Sequence, residues 1–169
     1  MRWDLDNSQA LQLETATAYG PQLLAPILDD LRAAAADEQE RELVETLAAW
    51  QGDHPLQSLP ATLFNQLTYE LGRATLAPRL GAQAFEQLLS TRMIDSALPR
   101  LTADPHSPWW SRVDGRPRNR TEAVAEAWRA TLQHLRATLG EDPAQWPWGQ
   151  THTLTHQHPL GVQLSLIHI

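Results

Sequence analysis

Three histidines, His152, His156 and His158, fall within seven residues of one another. Residues 150–156 alternate in a way that allows a short strand. In a strand, even-numbered residues share a face. Three imidazoles on one face have the chemistry to bind zinc or copper. Against that, His158 precedes Pro159, and no carboxylate lies within six residues to orient a ring from behind. Histidines without a metal are the stronger reading, and neither metal nor cofactor is expected. Four of the seven tryptophans stand in pairs, at 109 and 110 and at 146 and 148. Indoles can stack sugars, bases or acyl groups. They can also anchor loops onto a helical core, each ring hiding about 150–250 Å², and anchoring is favoured here. Arg112, Arg116, Arg118 and Arg120 could grip phosphate or carboxylate. With Asp114 among them and acidic helices nearby, a salt-bridged or solvated loop is favoured. None of the serines at 8, 58, 90, 96, 107 and 165 sits in a Gly-x-Ser-x-Gly elbow. There is no His-Glu-x-x-His helix, no P-loop and no Gly-x-Gly-x-x-Gly. Read from the residues alone, no catalytic residue can be assigned.

Composition narrows the classes further. The 169 residues are 42% hydrophobic and 20% charged, a folding composition of about one domain. No cysteine is present, so disulfides and thiolate catalysis are excluded. Every basic residue is arginine, which removes lysine Schiff bases and lysine general bases. Net charge is −7. Residues 1–60 carry eleven acids against three arginines, and residues 61–169 carry nine against ten. A duplex nucleic-acid binder needs a basic surface, so nucleic acid is not an expected partner. No apolar run approaches the roughly 20 residues of a membrane span, and the first residues show no secretory signal.

The elements that would position these residues are helices. Apolar spacing predicts a helix over 8–35, with Ser8 as N-cap and a kink or break at Gly20-Pro21. A second is expected over 38–50, with Leu43, Leu47 and Trp50 on one face. A third runs over 59–80, with Pro60 at its first position, Leu63, Phe64, Leu67 and Leu71 as its stripe, and Gly81 closing it in the left-handed conformation. Residues 82–101 read as a fourth, in two pieces because of Pro99. Residues 104–120 have loop chemistry. Asn119 with Glu122 resembles a capping box. It opens a helix over 121–139 whose stripe is Val124, Trp128, Leu132, Leu135 and Leu139, with Gly140 as the stop.

One constellation is more specific. Trp146-Pro147-Trp148-Gly149-Gln150-Thr151-His152, then His158-Pro159-Leu160-Gly161, resembles the Trp-x-Trp-Gly-x-x-His…His-Pro-Leu signature of the penicillin acylase (penicillin amidase) family. Ser107-Pro108-Trp109-Trp110 is similar to that family's Ser-x-Trp-Trp segment before a helix. Residues 7–14 resemble the family's helix that begins near Met-Gln-x-Leu-Gln-x-Asp. The three occur in the family's order, over roughly residues 5–161. His156 stands where the family has an aromatic or apolar residue.

The resemblance implies an N-terminal-nucleophile hydrolase of α+β (αββα) fold. Such enzymes cleave N-acyl amide bonds, for instance those of β-lactam antibiotics or acyl-homoserine lactones. A processed serine attacks the carbonyl and its own α-amine serves as base. The resemblance also implies a periplasmic location, and partnership with an α chain and the rest of the β chain. No serine here follows a plausible autocleavage glycine. The expected fold is therefore mainly α with a short β segment at the C-terminal end, an internal helical piece of the β chain that is itself catalytically silent. Residues 1–161 are expected to form one helical unit. Residues 162–169 form an abrupt tail whose native origin is open, and the chain is expected to be a gene fragment with exposed apolar surface. Two other readings stand beside this one: a self-contained helical binding module using its Trp/Arg loop, and a small His-cluster metalloprotein.

Overall fold

A computed structural model describes residues 4–114 and 116–153. Helices carry the architecture, and the described residues include no strand. Among the described residues the α-helices are α1 (Leu5–Gln12), α2 (Tyr19–Leu24), α3 (Leu28–Ala34), α4 (Glu38–Ala49), α5 (Leu59–Thr75), α6 (Ala77–Leu80), α7 (Ala82–Leu89), α8 (Met93–Ala103), α9 (Arg120–Leu139) and α10 (Trp148–Thr151). Single 3-10 turns occupy Ala25–Ile27, Pro108–Trp110 and Pro143–Gln145.

The two longest helices form the centre. Leu63, Leu67 and Leu71 recur every four residues along α5 and are fully buried. They pack towards Val124, Trp128, Leu132 and Leu135 of α9, and α3 covers a further side of α9. Each buried leucine contributes about 1.5–3 kcal/mol of transfer free energy. α2 rests on α8. Gly20 of α2 is where Trp50 comes in, since a Cβ there would lie 2.5 Å from the indole. Helix α1 has no buried residue, and Leu5, Leu11 and, at its C-cap, Leu13 are exposed.

Side-chain caps start the three longest helices. Ser58 accepts from the Ala61 amide to start α5, and Asp37 accepts from the Glu40 amide to start α4. Asn119 and Glu122 make both bonds of the capping box at the start of α9.

Several expectations need correction. The first helix begins earlier, capped by Asp4, while Ser8 sits inside it and donates to the Asp4 carbonyl. Its break falls at residues 13–18 and not at Pro21. Pro21 lies in the first turn of α2, where a missing amide costs nothing. The third helix ends at Thr75, and Pro78 then sits in the separate turn α6. The fourth divides at residues 90–92, where the Thr91 hydroxyl accepts the Met93 amide. Pro99 is carried inside α8. Gly81 and Gly140 do have positive φ (80° and 96°), but their ψ values of 161° and 171° are extended, a region open to glycine almost alone. The expected strand over 150–156 does not form at its start. Gln150 and Thr151 belong to α10, because the Gln150 and His152 amides turn back to the Pro147 and Trp148 carbonyls. Residues 154–156 lie outside the described residues.

Candidate functional site

The Trp146–His152 segment closes a groove against α5 and α9. The Gly149 amide donates to the Leu56 carbonyl at 2.8 Å, which fixes α10 beside the start of α5. Trp146 is fully buried and its indole N–H donates to the Gly140 carbonyl at 2.8 Å. Trp148 meets His54 edge-on at 5.3 Å and stacks on His152 at 4.6 Å with the rings 9° from parallel. His54 is in turn edge-on to Trp50 at 5.2 Å. Its Nδ1 lies 3.2 Å from the Thr15 carbonyl and its Nε2 3.3 Å from the Asn65 amide nitrogen. A carbonyl only accepts, so the neutral tautomer with Nδ1–H satisfies both contacts. Asn65 holds its orientation by donating to the Ala61 carbonyl at 2.8 Å.

The groove encloses about 460 Å³. Asn65, Gln66, His134, Thr138, Trp148 and His152 line it. It can offer hydrogen bonds and an aromatic wall. Among the described residues it offers no activated hydroxyl. Thr138 and Thr151 donate back to the carbonyls of His134 and Trp148 within their own helices.

The other predicted residues are placed as follows. His152 is exposed beside Trp148, while His156 and His158 lie outside the described residues. Among the described residues no three side chains of metal-ligating type converge. Trp110 is buried and its indole N–H donates to the Asp104 carbonyl at 2.8 Å, so it clamps the loop onto the core. Trp109 is half-exposed and carries the Arg79 guanidinium 5.5 Å from its ring centre.

All four loop arginines are held internally. Arg118, with its side chain only 5% exposed, donates to the carbonyls of Trp110 (2.7 Å) and Ala74 (3.0 Å) and to the Glu126 carboxylate (3.0 Å). Arg112 pairs with the other oxygen of Glu126. Arg120 binds Asp30 at 2.7 Å and the Thr102 carbonyl at 3.1 Å, and Thr121 adds a hydroxyl to Asp30 at 2.5 Å. Arg116 pairs locally with Asp114. The Arg116 side chain and then its backbone amide hold the Asp114 carboxyl below the usual aspartate range. Elsewhere, burial and then Asp95 push the Tyr19 phenol upward.

Four of the described serines serve structure. Ser8 and Ser90 donate to carbonyls of their own helices, and Ser58 and Ser107 are caps. Ser96 lies exposed on α8, and Ser165 lies outside the described residues. Among the described residues no serine hydroxyl is hydrogen-bonded to an imidazole or a carboxylate, so none is paired with a base. Sequence reasoning passed over His54, Asn65 and His134, and also Ser111, whose carbonyl accepts from Arg79. The spacing of Asn65 from the buried α5 stripe could have placed it on the polar face. Nothing local marks His54.

Compared with known families, the chain matches the family model described as Penicillin amidase over residues 1–168. Nothing matches among curated proteins, and nothing among solved structures.

Proposed function

The chain belongs to the penicillin amidase family, and from that premise we propose that it is the helical part of the β chain of an enzyme that hydrolyses N-acyl amide bonds. An amidohydrolase-type function follows from the family in general terms. The finer reading is that the nucleophile is an N-terminal serine contributed from outside these helices. Its hydroxyl would attack the acyl carbonyl and expel the amine, and water would then release the acid. An α-amine has a pKa of about 8, so it can take the serine proton near neutral pH. The parent substrate would be an N-acylated small molecule of the β-lactam or acyl-homoserine-lactone kind, met in the bacterial periplasm. No helix among the described residues is long and apolar enough to cross a membrane.

In this reading the helices form a body against which the catalytic αββα layers pack, together with the α chain and the remainder of the β chain. One observation carries it. The family match spans the chain, yet every described serine with a hydrogen-bonded hydroxyl uses it as a cap or a back-bond to the main chain. Exposed Leu56, Met93 and Val113 supply apolar surface for such packing. The test is labelling with a serine-directed phosphonate. It is applied to the product of the coding sequence that contains these residues together with its flanks, and the adduct is mapped by peptide mass. The expected adduct sits on a serine outside these 169 residues. An adduct on Ser58 or Ser107, or a product that neither labels nor hydrolyses amides, would overturn the reading.

A further inference from the structure

A second cavity, distinct from the histidine–tryptophan groove, opens between α6, α7, α8 and the 3-10 turn at Pro108–Trp110. It encloses about 420 Å³, within the roughly 300–1,000 Å³ typical of small-molecule sites. Its walls are Leu76, Leu80, Leu88, Ala97, Leu101 and the Trp109 indole. Arg100 and Asp104, both exposed, line it as well.

The charges around this cleft are unusual for the molecule. Among the described residues, Arg32, Arg41, Arg73, Arg92, Arg112, Arg116, Arg118, Arg120 and Arg136 each meet a carboxylate. Arg79, Arg100 and Arg129 do not. Of these three, Arg100 lines the cleft, and Arg79 sits over the ring of Trp109, which also lines it. Arg79 is fixed over Trp109 by the neutral carbonyls of Pro108 (2.8 Å) and Ser111 (3.1 Å), so its charge is positioned and not neutralised. Arg100 has no hydrogen-bond or ion-pair partner among the described residues. The opposing charge is Asp104, whose carboxylate accepts the His106 amide at 3.0 Å. The cleft's two charged lining residues, Arg100 and Asp104, cancel in formal charge, and Arg79 adds a guanidinium at the Trp109 ring.

An apolar slot with a free guanidinium at its lining suits a ligand with an apolar tail and an anionic head. We infer that the cleft binds an amphipathic monocarboxylate, with the chain against Leu80, Leu88, Leu101 and Trp109 and the carboxylate on Arg100. Arg79 adds attraction through the Trp109 edge of the site. A phosphate-sized anion would leave the leucine wall unused. An uncharged hydrocarbon would leave Arg100 without a partner. The inference stands apart from the amidase reading and can fail without it.

Calorimetric titration of the purified chain with decanoate below its micelle concentration tests this, with decanol and hexanoate alongside. Decanoate is expected to saturate a single site. Decanol should bind about tenfold more weakly, for want of a charge-assisted bond. Hexanoate should bind at least about tenfold more weakly, for want of four methylenes in the slot. Arg100→Gln should bring decanoate down to the level of decanol and leave decanol unchanged. Arg129→Gln, at the third arginine without a carboxylate, should change neither. Circular dichroism of both variants would establish that they fold. Equal binding of acid and alcohol, an Arg100→Gln variant that binds decanoate as before, or heat that never saturates would each overturn the inference.

Discussion

Trp109 and Trp110 are neighbours in sequence and opposites in use. Trp110 is 1% exposed, donates to the Asp104 carbonyl, and through its own carbonyl receives the buried Arg118. Arg118 and Arg112 divide the two oxygens of Glu126 between them. Trp109 is 37% exposed and lies under an arginine that meets no acid. The contrast shows what burial demands. A guanidinium out of reach of water is tolerated only when carbonyls and a carboxylate replace its hydration. Arg118 has both. A guanidinium at the surface carries no such requirement, so Arg79 and Arg100 keep charge available for something else.

The largest expected effect lies on the inner side. Trp110→Ala should lower stability by about 3–5 kcal/mol, the usual loss for a large buried aromatic, read as a fall in the urea midpoint. Trp109→Ala with an equal loss would collapse the distinction between the two sides. Glu126→Ala comes next. It leaves buried Arg118 without its carboxylate, and a fully buried pair broken this way costs about 3–5 kcal/mol. Glu126 is itself 30% exposed, so a loss of about 3 kcal/mol, the low end of that range, is predicted. Adding Arg118→Met to Glu126→Ala should recover part of the loss, which a double-mutant cycle would detect.

A finer comparison sets Trp110 against Trp128. Both are buried, but the Trp128 indole N–H meets no acceptor among the described residues, whereas that of Trp110 does. Trp110→Phe should therefore cost about 1 kcal/mol more than Trp128→Phe, beyond their shared loss of volume. Equal losses would mean that the Asp104 bond adds nothing. Trp109→Ala should change stability by no more than about 0.5 kcal/mol, as at other surface positions. The smallest effect concerns the exposed Asp114–Arg116 pair. By NMR titration, Asp114 should lose its proton below the ordinary aspartate value of about 3.9, and Arg116→Gln should return it upward. Because the folded value is the lower one, the pair's contribution is complete above the ordinary aspartate range. It fades as pH falls through the lowered midpoint.

The core was readable because its cause is local. Leu63, Leu67 and Leu71 repeat at helical spacing, and Asn119 and Glu122 are three residues apart, so the sequence displays both the stripe and its start. Prolines misled, since their effect depends on position within a turn. Pro21 lies where no amide is needed, and Pro99 is tolerated in a helix held by its neighbours. A salt-bridged or solvated loop was legible from the acids around the arginines, Asp114 among them, but the distant partners were not. Asp30 lies 90 residues from Arg120 and Ala74 lies 44 from Arg118, so only the packing of α3, α5 and α9 brings them together. The groove was half visible. Trp146 and Trp148 stand out in the sequence, while Asn65 enters it only through the packing of α5, and His54, in the loop before α5, meets Trp148 and Asn65.

The most direct test of a helical body that carries no reacting serine of its own is steady-state hydrolysis of N-acyl chromogenic amides by the purified 169-residue chain. The predicted result is no turnover above the buffer blank, with or without a chelator. Turnover that disappears when Ser58, Ser107 or Ser111 is replaced by alanine would contradict it.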